Sequence, residues 1–202
     1  MISDRSRTLV WSSLVALKLV VPFSHGEPAS PKSGAQFTRD GKLLKPADYR
    51  EWVLIGTGLN MAYGPLLEAR ADQPPFTNVF VEPVVYREFL KSGVWPNGTM
   101  FVLEIRSSVP VNKSTTGNNG YYQGEVLGIE AEIKDDKRFA GSWAFFSLSP
   151  TAPVGEQIPS TASCYACHAE HGAVENTFVQ FYPVLRDVAK RRGTFKQVSE
   201  TF

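Results

Sequence analysis

The sequence predicts an α+β domain dominated by an antiparallel β-sheet with short flanking helices, and three observations carry that prediction. The first is two-residue alternation, clearest in residues 99–106, where Phe101, Leu103 and Ile105 fall on one face and Met100, Val102, Glu104 and Arg106 on the other. The second is the punctuation between apolar runs: Pro74-Pro75, Pro96-Asn97-Gly98 and Lys134-Asp135-Asp136-Lys137 are turn signals of the kind that joins strands. The third is that helical periodicity is confined to short pieces near residues 48–54, 84–91 and 179–188. Helix, strand, helix, a series of strands and a helical tail argue for a mixed sheet domain and against an all-helical bundle.

Taken in order, the first 25 residues have the makings of a secretory leader. Arg5 and Arg7 precede Leu9-Val10-Trp11 and Leu14-Val15-Ala16-Leu17, although Lys18 interrupts the apolar run and Pro22 to Gly26 is a poor cleavage site. Residues 26–36, rich in Pro, Ser and Gly, read as a linker, and a domain is expected over residues 37–195. Within it, Asp48 is a candidate cap for a short amphipathic helix carrying Tyr49, Trp52 and Val53, ended by Gly56 and Gly58. Residues 61–71 are ambiguous, 76–81 read as a β-branched and aromatic strand, and Glu82-Pro83 opens a helix that Gly93 stops.

After the alternating strand comes a polar loop at 112–120. Residues 121–134 then read as strand broken at Gly124 and Gly128, and 142–148 as a strand with Trp143, Phe145 and Phe146. Residues 155–163 read as a Pro/Ser/Thr-rich loop, and 179–188 as a helix interrupted by Pro183.

Composition bounds the function. The chain has 202 residues, 43% of them hydrophobic, enough for one ordinary core. Lys+Arg 21 against Asp+Glu 20 leaves a net charge of +1, and no basic cluster suggests a nucleic-acid partner. Lys190-Arg191-Arg192 reads as a solvated helix end, and no run after the leader is long enough to span a bilayer.

The motif with chemical content is Cys164-Tyr165-Ala166-Cys167-His168, which holds both cysteines of the chain. Two cysteines three apart followed at once by histidine form the attachment signature of a c-type haem. Each thiol adds across a vinyl group, and the histidine offers an imidazole nitrogen to the iron. The expectation is one covalent haem c held through Cys164 and Cys167, with His168 as proximal ligand. A zinc site would need two more ligands, and only His171 and His25 remain, the latter in the leader. A thioredoxin-like pair would sit at a helix start in a βαβ unit, and a plain disulfide would not call for the histidine. Bacterial haem attachment takes place outside the cytoplasmic membrane, so the motif argues for export and a periplasmic location.

The other axial position is open on this reading. Small cytochromes usually supply a methionine from beyond the motif, and this chain has none there: its methionines are Met1, Met61 and Met100, the last on the strand face opposite Leu103. His171 lies too near His168 to reach around the haem. A five-coordinate iron binds small ligands or substrates. Met61 as sixth ligand would instead give a six-coordinate electron-transfer cytochrome.

Several blocks in order resemble the cytochrome P-460 family, which includes cytochrome c′-beta: Tyr49-Arg50-Glu51-Trp52-Val53, the strand from Gly98 to Ile105, Gly128-Ile129-Glu130-Ala131, Asp136-Lys137-Arg138-Phe139-Ala140, Trp143-Ala144-Phe145, the haem motif, and Phe181-Tyr182-Pro183-Val184-Leu185. The resemblance implies a sheet-dominated monohaem domain, usually a homodimer, with a proximal histidine and an open distal site. It also implies one of two activities. Cytochrome P-460 proper oxidises hydroxylamine and carries an extra covalent bond from a lysine to the haem, whereas cytochrome c′-beta lacks that bond and binds gases such as nitric oxide.

By the resemblance, the cross-linking lysine position is Leu103 here, and the family's distal arginine falls near Thr77. By periodicity alone Phe101, Leu103 and Ile105 are equally well ordinary core with the distal pocket elsewhere; if the face they form walls the pocket, as the resemblance implies, its apolar character favours neutral diatomic ligands. The remaining expected candidates for the distal pocket are Phe76, Phe80 and Phe145. A hydroxylamine oxidase would need a base near the iron and a lysine from elsewhere, with Lys91 and Lys113 available. A small gaseous ligand or nitrogen substrate and a redox partner protein are the expected partners. On this reading enzymatic activity, if present, is haem-dependent oxidation of a small nitrogen compound.

Overall fold

The computed structural model describes residues 34–61, 73–112, 117 and 119–197. The chain divides into two units, Met1–Lys32 and Ser33–Phe202, and the first, with the expected leader, lies outside the described residues. So do residues 62–72, most of the ambiguous stretch, and Lys113.

Seven strands form one antiparallel sheet: β1 (Leu43–Leu44), β2 (Val53–Leu59), β3 (Phe76–Val81), β4 (Met100–Pro110), β5 (Tyr121–Lys134), β6 (Trp143–Leu148) and β7 (Val154–Gln157). Their order is β1-β7-β6-β5-β4-β3-β2, so β2 to β7 run as neighbours and the first strand closes the far edge beside the last. Helix α1 (Pro83–Ser92) sits between β3 and β4; α2 (Ser163–His171) and α3 (Pro183–Arg192) follow the sheet. Among the described residues no helix is long and apolar enough to cross a membrane.

Both faces of the sheet are buried, and this governs how every strand must be read. One face packs Val81, Phe101 and Trp143 against α1 and α3 through Val85, Phe89, Leu185, Val188 and Ala189, with Trp95 between them. The other packs Met100, Val102, Ile129, Ala131, Ile133 and Phe146 under Leu43, Tyr49, Phe37 and Phe139. Helix α1 begins with Pro83, whose missing N–H costs nothing in the first turn, and ends at Gly93, whose φ of +75° is left-handed and whose N–H closes on the Phe89 carbonyl. Helix α3 repeats both devices with Pro183 and Gly193, so Pro183 starts a helix rather than interrupting one.

Three further expectations need correction. Residues 48–54 are not a helix: a single 3-10 turn, Tyr49–Glu51, runs straight into β2, and Gly56 and Gly58 are strand residues paired with Val79 and Thr77. Seven residues are too few for periodicity to separate the two states, and Val53, Ile55 and Thr57 prefer the strand once β3 is there to pair with. Strand β5 is continuous through Gly124 and Gly128; there the register against β4 shifts, from Ile105↔Gly128 to Arg106↔Val126 to Ser108↔Gln123, so the glycines mark bulges and not breaks. The loop expected at 155–163 is in part β7, because Gly155 and its neighbours pair with β6 and β1.

The face opposite the helices also carries a buried ionic cluster. Glu104, 1% exposed, takes hydrogen bonds from Tyr49 Oη, Arg50 Nε (2.9 Å) and Arg106 Nε. Burial pushes its carboxyl up, but Tyr49, Arg106 and Arg50 together overcome this and hold it below the ordinary carboxylate value. Glu104 thus lies on the face opposite Leu103, as the alternation of β4 predicts.

Candidate haem site

Helix α2 carries Cys164, Cys167 and His168 at i, i+3 and i+4, which places all three on one side of the helix. That side faces the sheet. Tyr165, between the cysteines, anchors the helix: its hydroxyl donates to the Ile158 carbonyl (3.0 Å) and accepts from the Phe145 N–H (3.3 Å), and its ring meets Phe145 edge-on. No disulfide joins the two cysteines; Cys164 is half-buried and Cys167 exposed. Burial pushes the Cys164 thiol up.

The His168 ring is fixed on three sides. Phe145 and Phe178 flank it at centroid distances of 4.5 and 4.3 Å, and its Nδ1 lies 2.8 Å from the Asn176 carbonyl. A carbonyl only accepts, so Nδ1 carries the proton and Nε2 keeps its lone pair, the tautomer a metal ligand needs. The loop that delivers this carbonyl folds tightly on the end of α2. Ala173 N–H donates to the Thr177 carbonyl and Thr177 N–H to the Val174 carbonyl, while Trp95 Nε1 donates to Thr177 Oγ1 (2.8 Å). Gly172 makes the crossing feasible: a Cβ there would lie 2.6 Å from the His168 carbonyl oxygen and 2.8 Å from backbone atoms of Asn176 and Thr177.

Before α2 opens a cavity of about 470 Å³, within the ~300–1,000 Å³ of ordinary cofactor sites. Cys164, Cys167 and His168 line it together with Phe101, Leu103 and Phe145, as do Val79, Ile158, Phe178 and Tyr182. The other expected pocket residues lie elsewhere. Ile105 shares the face of Leu103 but sits one step along β4, over Gly128 and outside the cavity wall. Phe80 packs on the opposite face against Tyr49, at 5.7 Å, and Phe76 has the same parity on β3, so neither walls the cavity. Single-strand reading could not tell which face of β3 the haem motif would meet.

Met61 lies close to Gly58 and Thr77 and is not part of the cavity wall. Thr77 is buried there. His171 stands exposed at the end of α2 beside Glu170, and Lys91 pairs with Glu88 at 2.8 Å on α1, away from the site.

Two residues that sequence reasoning passed over change the character of the cavity. Glu130 and Glu132 on β5 both line it, directly across from Leu103 and Phe101 of β4. Burial pushes both carboxyls above the ordinary value, and the nearby His168 only partly opposes this. Glu132 Oε1 is 3.4 Å from His168 Nδ1. Burial disfavours the His168 cation, yet Glu132 and the Asn176 carbonyl outweigh it, so the imidazole is held above its usual pKa. The signal was present in Ile129-Glu130-Ala131-Glu132-Ile133: in a sheet buried on both faces, the glutamates of such an alternation must be buried too.

The residues present fit a haem. Two thiols and an imidazole with a free Nε2 share one cavity with aromatic walls, and among the described residues no cluster of three or more His, Cys, Asp or Glu offers an alternative metal site. Comparison with known families decides the matter. A family model described as cytochrome P460 matches residues 46–179, two thirds of the chain and all of the motif. The chain belongs to the cytochrome P460 family. Membership implies a c-type cytochrome with covalently attached haem c, and it accounts for the pairing of a Cys-x-x-Cys-His helix with an antiparallel sheet. No curated protein matches the chain.

Proposed function

We propose that this cytochrome P460 family member binds a neutral diatomic gas, nitric oxide foremost, at an open iron site behind an apolar wall, with His168 as the proximal ligand. The carrying observation is the position of Leu103. Where the family resemblance expects a cross-linking amine, the cavity wall presents a leucine flanked by Val79 and Phe101. Bound haem supplies the ligand-binding iron. Cys164 and Cys167 fix the group to α2, Phe145 and Phe178 hold the imidazole plane, and the Asn176 carbonyl sets its tautomer. Val79, Phe101 and Leu103 keep water out and offer little hydrogen bonding, which suits nitric oxide better than a ligand that builds negative charge.

Glu130 supports a second reading. Its carboxyl lines the cavity opposite Leu103, and burial raises its pKa toward the range of a working base. In that reading it would accept protons from hydroxylamine or a similar nitrogen compound, while the substrate's electrons would leave through the bound haem to a redox partner protein.

Optical spectra of the ferrous protein with and without nitric oxide, together with intact mass after extraction of non-covalent haem, separate the two. The gas-binding reading expects an ordinary Soret position, two thioether bonds and a shift on adding nitric oxide, with no hydroxylamine turnover. A strongly red-shifted Soret band with a third covalent bond, or turnover abolished by Glu130→Gln, overturns it. A periplasmic location and a homodimer accompany this proposal, checked by fractionation and by sedimentation of the haem-loaded protein.

A further inference from the structure

Glu132 has no part in the function proposed above, and its position is costly. Its Oε1 is fully buried without a hydrogen-bond partner, and buried polar atoms are almost always paired. Its neighbours across the sheet are Phe101 on β4 and Phe145 on β6, which offer no donor. Lys134, next but one on β5, is taken by Glu175 (2.8 Å) and the Trp95 carbonyl (2.8 Å). A donor does stand close by: Oε1 is 3.4 Å from His168 Nδ1, just beyond hydrogen-bond distance, while Nδ1 already faces the Asn176 carbonyl at 2.8 Å. Two acceptors therefore converge on one N–H, one neutral and one a carboxyl group.

We propose that Glu132 is a positioning residue for the iron ligand, sharing the Nδ1–H of His168 with the Asn176 carbonyl and making the imidazole a stronger donor than the carbonyl alone would. This rests on His168 being the proximal ligand and on no particular gas or substrate. A carboxylate behind a ligating histidine raises ligand basicity, and such outer partners shift metal affinity by about 10–100-fold when removed. A more basic imidazole favours ferric over ferrous iron. Glu132 thus lowers the reduction potential and strengthens the iron–histidine bond.

The test is Glu132→Gln in haem-loaded protein, which keeps the shape and replaces the carboxyl with an amide. Its midpoint potential is expected to rise; a tenfold change in ferric-over-ferrous preference reads as about 59 mV for one electron. The iron–histidine stretching band of the ferrous protein, by resonance Raman, is expected to move to lower frequency. Glu132→Asp, which retracts the carboxyl by one methylene, is expected to fall between wild type and Gln, and it carries the test if Gln does not load haem. Wild-type potential and wild-type stretching frequency in these variants overturn the proposal, even if thermal stability changes, since a merely structural role moves only the latter. No added ligand enters either readout, so failure here is distinct from failure of the gas-binding reading.

Discussion

Gly172→Ala tests whether the loop crossing behind His168 depends on the missing side chain. The backbone at Gly172 has φ −66° and ψ 126°, which alanine adopts freely, so conformational strain does not enter. Alanine alone would even stabilise the protein by about 0.4–1 kcal/mol by restricting the unfolded chain. Against this, the added Cβ meets the His168 carbonyl oxygen at 2.6 Å and backbone atoms of Asn176 and Thr177 at 2.8 Å. None of these is the end of a flexible side chain, so the loop itself must retreat. Overpacking costs about 1–3 kcal/mol. Pulling the Asn176 carbonyl from Nδ1 forfeits a further ~0.5–1.5 kcal/mol.

The net expectation is a loss of about 2 kcal/mol, seen as a Tm lowered by roughly 4–8 °C for a domain of this size. Thermal unfolding of the haem-loaded variant, followed in the far-ultraviolet, measures it. A Gly172→Ala protein as stable as wild type, or more so, refutes the reasoning, because the unfolded-state gain would then stand uncompensated.

Three other outcomes are expected. Cys164→Ser and Cys167→Ser each leave one thioether, and the double variant releases all its haem under acid-organic extraction, read by intact mass. Gly56→Ala drives a Cβ to 2.6 Å from Tyr182 Cδ1, pushing a wall residue into the cavity; it costs about 1–3 kcal/mol and lowers haem incorporation, and Tyr182→Leu relieves most of the loss. Glu104, held below its unfolded value, contributes stability that is full above the ordinary carboxylate pKa of 4.5 and disappears as pH falls through the lower folded value. Acid titration of Glu104→Gln should therefore show a flatter fall in stability below pH 4.5 than wild type, and an unchanged slope would rule out the cluster as its source.

Legibility in the sequence followed the strength of local patterns. The strand Phe76–Val81 and the helix opened by Pro83 and closed by Gly93 stand where their side chains and punctuation put them. Strands β1 and β7, of two and four residues, carry too little alternation to be seen and exist because their partners β7 and β6 offer edges. The Cys-x-x-Cys-His motif stood out because the chemistry of haem attachment would fix that spacing, and the family match spans it. The support behind it was not, since the Asn176 carbonyl belongs to the backbone and has no residue signature, and Gly172 matters only for how closely two chain segments pass. Phe80 was misplaced for a related reason: parity along β3 divides its residues into two sets but does not say which set meets α2.

The same parity argument bears on the chemistry of the cavity. Leu103 alone makes the site read as apolar, but a strand face is only one column of a surface, and its neighbours come from β3 and β5. The row running through Val79, Leu103 and Glu130 is apolar on one side and acidic on the other. A neutral ligand can shelter against Val79 and Leu103, and a proton can be taken up by Glu130 a strand away. Substitution of Leu103 by an amine-bearing residue would bring that amine against the Glu130 carboxyl, roughly 4.5–5.5 Å away at Cβ. Leu103 and Glu130 are direct cross-strand partners on one cavity wall, so variants at the two positions should be non-additive in ligand affinity.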